Sequence, residues 1–174
     1  MHEAYASQPV IAPVDESARA GFDRLMAEYL PGNDPQQVHA YAQAYPEACL
    51  ALTCGDTVAG VAFGWPRRLR DPSDSSLMLG GLAVAQEARR RGFGRMLLNR
   101  FSQAAARYGC DTVSVGSAPG YAETFYIACG FIPVEYKVWT DAGPLAVKRY
   151  SGMEDYLMWQ RPAQDGFVVL SRRI

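Results

Sequence analysis

The apolar positions of the chain follow two periods, one typical of helices and one typical of strands. Apolar residues recur every three or four positions up to about Leu30, and again up to Pro46, which predicts two helices with Asp15 and Asp34 as their N-caps. Short apolar runs bounded by turn residues predict strands instead. Gly55-Asp56 separates two such runs and predicts a hairpin.

The order of the predicted elements indicates a fold class. The predicted strands are Ser7–Val14, Cys49–Cys54, Thr57–Trp65, Leu77–Val84, Asp111–Ser117, Phe131–Trp139 and Phe167–Ser171. The later predicted helices are Gly92–Tyr108, Tyr121–Cys129 and Gly152–Arg161. Hairpins combined with one strand–helix–strand unit predict an α/β fold with a mixed, largely antiparallel sheet flanked by helices. At this length we expect one domain over residues 1–174.

The composition argues against several classes of protein. Of the 174 residues, 49% are hydrophobic and 20% are charged, which is typical of a globular chain. The net charge of −1 argues against a nucleic-acid coat or a polybasic membrane binder. The uncharged run Ser75–Gln86 has 12 residues, fewer than the ~20 that a membrane-spanning helix needs. The N-terminus has no features of a secretion signal, so we expect a cytoplasmic protein with no membrane partner.

The cysteines and histidines do not form a metal-binding pattern. The chain has four cysteines and two histidines, with no C-x-x-C spacing, and these are Cys49, Cys54, Cys110, Cys129, His2 and His39. A structural zinc site needs four such ligands at close spacing, so we expect no metal. The cysteines are predicted to be reduced and mostly buried.

The segment that follows the strand Leu77–Val84 has an unusual concentration of positive charge. Four of the 17 basic residues lie within seven positions at a helix start, and these are Arg89, Arg90, Arg91 and Arg95. A helix N-terminus is itself positive, so this placement favours a bound anion. Gly92 and Gly94 lack side chains and let backbone N–H groups approach a phosphate oxygen. The alternative is a solvated basic helix start whose glycines serve only close packing.

Two segments resemble the GNAT acyltransferase superfamily. Arg89-Arg90-Arg91-Gly92-Phe93-Gly94 resembles its R/Q-x-x-G-x-G/A signature. The run from Ala122 to Phe131 resembles its A-x-x-[FL]-Y-x-x-x-G-F segment. Both occur in the family's order and spacing, separated by one long helix and one strand, and the resemblance covers about Leu77–Phe131.

The resemblance implies a co-substrate and a set of binding residues. Family members bind acyl-CoA where two parallel strands splay apart, which corresponds here to Leu77–Val84 and Asp111–Ser117. The implied co-substrate is acetyl-CoA, and the acceptor is the amine of a small molecule or a peptide. The residues implied for cofactor binding are Leu82, Ala83 and Val84 toward the pantetheine, and Arg89, Arg90, Arg91, Gly92, Phe93, Gly94 and Arg95 toward the pyrophosphate.

Tyr126 matches the family's tyrosine near the thioester sulfur. A phenol can donate a proton to a leaving thiolate, which makes Tyr126 the candidate catalytic residue. The sequence departs from the family at Pro119, where an asparagine is common, and the strand Leu77–Val84 carries no carboxylate. The base that removes the proton from the attacking ammonium is therefore not identified by the sequence. The candidates are Asp71, Asp74, Glu123 and a water chain, whereas Glu87 is predicted to be a solvated loop charge.

Other properties and functions stay open at this point. Four aromatic residues are candidates for an acceptor pocket or for the core, and these are Phe63, Trp65, Tyr29 and Tyr45. Because the strand carries no carboxylate, a non-catalytic acyl-CoA sensor is an alternative function for the chain. A homodimer is an alternative to a monomer. A nucleic-acid module would use Arg67, Arg68 and Arg70 with the later arginines, but no aromatic residues are interleaved with them, so we expect no nucleic-acid partner.

Overall fold

A computed structural model of the chain describes residues 5, 7–67 and 73–174. The strands are β1 (Pro9–Pro13), β2 (Cys49–Cys54), β3 (Thr57–Pro66), β4 (Ser76–Val84), β5 (Thr112–Ser117), β6 (Ile132–Thr140), β7 (Gly143–Arg149) and β8 (Gly166–Arg173). The helices are α1 (Glu16–Tyr29), α2 (Pro35–Ala44), α3 (Phe93–Arg107), α4 (Tyr121–Ala128) and α5 (Met153–Met158). The chain divides into two compact units, the first running to Asp111 and including Ile174, and the second covering Thr112–Arg173.

The first unit contains four antiparallel strands in the order β1-β2-β3-β4. The pairing of Cys54 with Thr57 confirms the hairpin predicted at Gly55-Asp56. Helices α1 and α3 pack against β3 and β4. Their apolar faces are fully buried at Phe22 and Phe101, which explains why the helical period of the sequence is so clear there.

The capping residues of the first two helices lie where the sequence predicts them. The Asp15 carboxylate accepts a hydrogen bond from the Ala18 N–H at 3.0 Å, and Asp34 accepts one from the Gln36 N–H at 3.0 Å. Each bond satisfies an amide that the helix itself cannot pair. Strand β1 contains two prolines and lies at the end of the strand order, where a missing N–H donor is tolerated.

The second unit contains four antiparallel strands in the order β5-β8-β6-β7. Sequence analysis did not predict β7, because most of its side chains are exposed on both faces and it therefore lacks a period of two. The predicted helix Gly152–Arg161 is too long, since α5 ends at Met158 and Trp159 has an extended backbone. The predicted strand Phe167–Ser171 is confirmed within β8.

The described cysteines are buried, as the sequence predicts. All four cysteines are buried and none of them forms a disulfide bond within the described residues, and burial raises the pKa of Cys49 to about 11. His39 is half-buried and its Nε2 lies 2.7 Å from Asp23 Oδ1. No helix in the described part of the chain is long and apolar enough to cross a membrane.

Gly64 is a position where the fold of the first unit requires a glycine. A Cβ added there would lie 2.0 Å from the Met78 carbonyl oxygen and 2.6 Å from the Phe101 ring. We therefore predict that Gly64→Ala lowers the free energy of unfolding by about 1–3 kcal/mol through overpacking, measured by urea denaturation.

The control for this prediction is Gly32→Ala. An added Cβ at Gly32 meets no atom within 4 Å, so its effect should stay within about 0.5 kcal/mol. Equal stability of the Gly64→Ala variant and the wild type would contradict the packing described here.

Candidate functional site

Strand β4 contains a bulge at its two adjacent glycines. The pairing register with β3 shifts between Phe63 and Gly64, so that Phe63 pairs with Gly81 and Gly64 pairs with Leu79. A Cβ added at Gly80 would lie 2.3 Å from the Trp65 ring, and one at Gly81 would lie 2.5 Å from the Phe63 ring. Aromatic rings of β3 therefore occupy the room that the two glycines leave.

The aromatic residues near this bulge form a stack. Trp65 lies parallel to Tyr41, with ring centroids 4.6 Å apart, and Phe63 is 6.4 Å from Trp65 on β3. Phe63 is 1% exposed and therefore belongs to the core. Tyr45 packs edge-on against Tyr108 at 5.4 Å. The stack fixes the shape of β4 just before the strand enters the arginine-rich loop.

The loop after β4 is held by the end of α1. The Gln86 N–H donates to the Tyr29 hydroxyl at 3.2 Å, and the Arg89 guanidinium lies 5.2 Å from the centre of the Tyr29 ring. Arg89 Nε also donates to the Val84 carbonyl oxygen at 3.2 Å, which folds the loop back onto the strand end. Tyr29 therefore positions the loop, a role that sequence analysis did not assign to it.

The backbone before α3 twice adopts left-handed conformations. Arg90 has φ of 63° and Gly92 has φ of 80°. Such alternation turns successive N–H groups toward one side of the chain, the geometry of an anion-binding nest. No side chain caps α3 at its N-cap, Gly92, and an added Cβ there would meet no atom within 4 Å. The start of α3 therefore combines an N-cap residue without a side chain with open space beside it among the described residues.

The predicted cofactor-binding residues lie together along β4 and the start of α3. Leu82 and Val84 are half-buried and Ala83 is buried, which is the alternation expected of a strand. The arginines of the cluster are exposed, and Arg91 Nη1 donates to the Tyr5 carbonyl oxygen at 3.2 Å. The Phe93 side chain is 6% exposed and points into the core, so Phe93 offers a ligand only its backbone.

Tyr126 is buried on α4 among aromatic neighbours. Its ring lies 5.2 Å from the Phe125 ring and 5.7 Å from the Phe131 ring. Burial, and secondarily the Cys129 thiol, raises the pKa of Tyr126 above its usual value. The phenol therefore keeps its proton at neutral pH, as a proton donor must.

The described carboxylates that were candidate bases are both engaged by neighbouring groups. Asp74 Oδ1 accepts from the Ser76 N–H at 2.9 Å, and its Oδ2 lies 3.2 Å from Arg67 Nε. Glu123 is 4% exposed and forms an ion pair with Arg161, 38 positions further along the chain. No local spacing in the sequence signals that contact. The candidate base Asp71, together with Arg68 and Arg70 of the nucleic-acid alternative, lies outside the described residues.

The central part of the chain matches a family of known proteins. Residues 46–133, which are 88 of the 174, match the family described as "Acetyltransferase (GNAT) domain". The chain belongs to the GNAT acetyltransferase family. The matched range contains both motifs on which the resemblance rests, so the predicted family is confirmed. No curated protein gives a significant sequence match.

Solved structures of GNAT proteins have the same fold at low sequence identity. Ard1 from Thermoplasma volcanium is 16% identical, with a TM-score of 0.68 over 95% of this chain and 97% of its own. Naa50 from Arabidopsis thaliana, solved with the bisubstrate analogue CoA-Ac-MVNAL, is 15% identical, with a TM-score of 0.68 over 95% and 99%. The acetyltransferase yncA from Salmonella typhimurium, solved with acetyl-CoA, is 16% identical, with a TM-score of 0.67 over 95% and 93%. The predicted fold class, a mixed and largely antiparallel α/β fold flanked by helices, is confirmed.

Proposed function

We propose that this GNAT protein is an N-acetyltransferase that moves an acetyl group from acetyl-CoA to an amine within a single domain. The observation that carries the proposal is the start of α3, where the first-turn amides of a helix with a glycine N-cap, two left-handed residues and four exposed arginines meet at the end of β4. A diphosphate satisfies those amides and neutralises that charge. A cytoplasmic location is part of the proposal, and four buried cysteines that form no disulfide within the described residues fit it, because thiols stay reduced there.

The co-substrate is assigned to two stretches of backbone. The pyrophosphate lies on the amides at the start of α3, with Arg89, Arg90, Arg91 and Arg95 around it. The pantetheine arm pairs with the backbone of Leu82, Ala83 and Val84. The glycines at 92 and 94 support this assignment, because a phosphate held by main-chain donors needs close backbone approach.

The proposed transfer is a direct attack in a ternary complex. The neutral amine forms a C–N bond to the acetyl carbonyl carbon, and the C–S bond breaks. Tyr126 gives its proton to the leaving thiolate, so that free CoA thiol is released. The nitrogen loses one proton to water as the amide forms, and a proton from water restores the Tyr126 phenol. The proton lost by the ammonium passes to water in this account, because Asp74 and Glu123 are engaged by partners of their own.

The acceptor class is defined by its chemistry as a small-molecule or peptide amine. The peptide-bearing analogue bound to Naa50 supports including peptide α-amines among the candidates. A panel of peptides with free N-termini and of small primary amines would identify the acceptor through release of CoA thiol. CoA binding without release of thiol from any acceptor would indicate an acyl-CoA sensor, and the absence of CoA binding would overturn the proposal.

The first prediction for this function concerns Gly94, the second residue of α3. We predict that Gly94→Val weakens CoA binding at least about tenfold, because the added side chain blocks the approach of a phosphate to the helix amides. Isothermal titration calorimetry with CoA measures the change.

Gly152→Val is the matched control, because Gly152 has an extended backbone and an added Cβ meets no atom within 4 Å. It should bind CoA as the wild type does. If Gly94→Val binds CoA with unchanged affinity while remaining folded, the assignment of the pyrophosphate site is wrong.

The second prediction concerns Tyr126. The change Tyr126→Phe removes only the hydroxyl, so kcat should fall by about 10²–10⁴-fold while acetyl-CoA affinity stays nearly constant. The deficit should shrink for an acyl donor with a more acidic thiol, since a better leaving group needs less protonation.

Tyr121→Phe is the control on the same helix, because Tyr121 is 87% exposed. It should leave kcat and the melting temperature unchanged. Wild-type turnover in the Tyr126→Phe variant would make Tyr126 a packing residue and would leave the thiolate to be protonated by water.

A further inference from the structure

The helix that carries Tyr126 begins at a buried carboxylate. Glu123 is the third residue of α4 and is 4% exposed. Its Oε2 accepts from the Gly120 N–H at 3.2 Å, and its Oε1 accepts from the Tyr156 hydroxyl at 2.7 Å and from Arg161 Nη2. Burying a carboxylate is costly unless it is paired and hydrogen-bonded, and this one is both.

The guanidinium of Arg161 is enclosed by aromatic rings. It lies 5.6 Å from the centre of the Tyr156 ring and 5.8 Å from the centre of the Tyr136 ring. Arg161 Nη2 also donates to the Tyr156 hydroxyl at 3.1 Å. Burial first, and then the hydrogen bond to Glu123, raises the pKa of Tyr156 to about 12. The Tyr156 hydroxyl therefore remains a donor to Glu123 throughout the neutral range.

The partners of Glu123 come from a different part of the second unit. Tyr156 lies on α5 and Arg161 on the connection that leads from α5 to β8. These residues belong to the segment between β7 and β8, and their side chains bond to Glu123 of α4. Residues three apart lie on neighbouring positions of a helix surface, so Tyr126 is one turn beyond Glu123.

Helix α4 is short and its N-cap residue offers no side chain. It contains eight residues, fewer than an isolated helix needs to be stable in water. Its N-cap is Gly120, which has no side chain to accept from the first-turn amides. The bond from the Gly120 N–H to Glu123 couples the turn before the helix to the ion pair.

We propose that Glu123, Tyr156 and Arg161 form a positioning cluster that holds α4, and with it the Tyr126 hydroxyl, in the geometry needed for proton donation. The proposal rests on the proposed role of Tyr126. Glu123 then acts as an anchor and not as the base that accepts the ammonium proton. Misplacing a reacting group by about 1 Å can cost ~10²-fold in rate, so a small tilt of α4 is sufficient to affect turnover.

The test combines kinetics with hydrogen exchange on the full chain. We expect Arg161→Ala to lower kcat about 10–100-fold, with the KM for acetyl-CoA changed less than about threefold, and to speed amide exchange in α4 by at least about tenfold. Arg161→Lys keeps the charge and should recover part of the loss. In the Tyr126→Phe background, Arg161→Ala should cause little further loss of kcat, because both changes remove the same proton donation.

Two further variants complete the test. Arg149→Ala is the control, since the Arg149 side chain is 87% exposed, and it should change neither kcat nor exchange in α4. If Arg161→Ala does not fold, Tyr156→Phe removes one hydroxyl and should give the same changes at smaller size. If the folded variants show wild-type amide exchange in α4 and wild-type kcat, the proposal that the cluster positions α4 is overturned.

The outcomes separate this inference from the proposed function. If Tyr126→Phe retains full turnover, the assignment of Tyr126 as the proton donor is wrong. Amide hydrogen exchange in α4 then remains the test of whether the cluster anchors that helix. Faster exchange supports the cluster as the anchor of α4, and wild-type exchange overturns it. Full additivity of Arg161→Ala and Tyr126→Phe in kcat overturns the claim that the cluster acts through Tyr126.

Discussion

The concentration of positive charge at the start of α3 is the constraint on which the functional account depends. A helix N-terminus carries about half a positive charge and favours anions by ~0.3–1 kcal/mol each, yet four arginines lie at or near this one. The left-handed backbone at Arg90 adds conformational strain at the same place. Charge and strain of this kind are balanced when a polyanion binds to the loop amides.

The rest of the first unit places that helix start at the end of a strand with a defined shape. The bulge at Gly80-Gly81 exists because aromatic rings of β3 occupy the space where side chains would be. The end of α1 then reaches the loop through Tyr29, which accepts from Gln86 and lies beside Arg89. The loop is therefore organised by packing before a ligand arrives, which reduces the ordering cost of binding.

The features that could be predicted from the sequence are those with local physical signals. Asp15 and Asp34 cap helices through bonds two or three residues away, and the apolar stripe of α3 repeats along a single helix. The glycine pair of β4 and the arginine cluster are likewise contiguous in sequence. Such signals also identified the family, because both of its motifs lie within the range Leu77–Phe131.

The remaining features depend on contacts between distant residues or on strands without a buried face. Strand β7 has no apolar alternation, since most of its side chains are exposed. Glu123 was one of several candidate bases in the sequence, and only its contact with Arg161 shows that the carboxylate is already engaged. The length of α5 was overestimated because Trp159 leaves the helix to pack near Tyr136, 23 positions earlier.

The central claim is that the amides at the start of α3 bind the pyrophosphate of CoA. The most direct measurement is a titration of the isotopically labelled protein with CoA, followed by amide nuclear magnetic resonance. The account predicts one-to-one saturation with the largest shifts at the amides of residues 92–95, and smaller shifts when pantetheine without the diphosphate is added. Saturable binding with its largest shifts elsewhere, or equal shifts with pantetheine alone, would contradict the account.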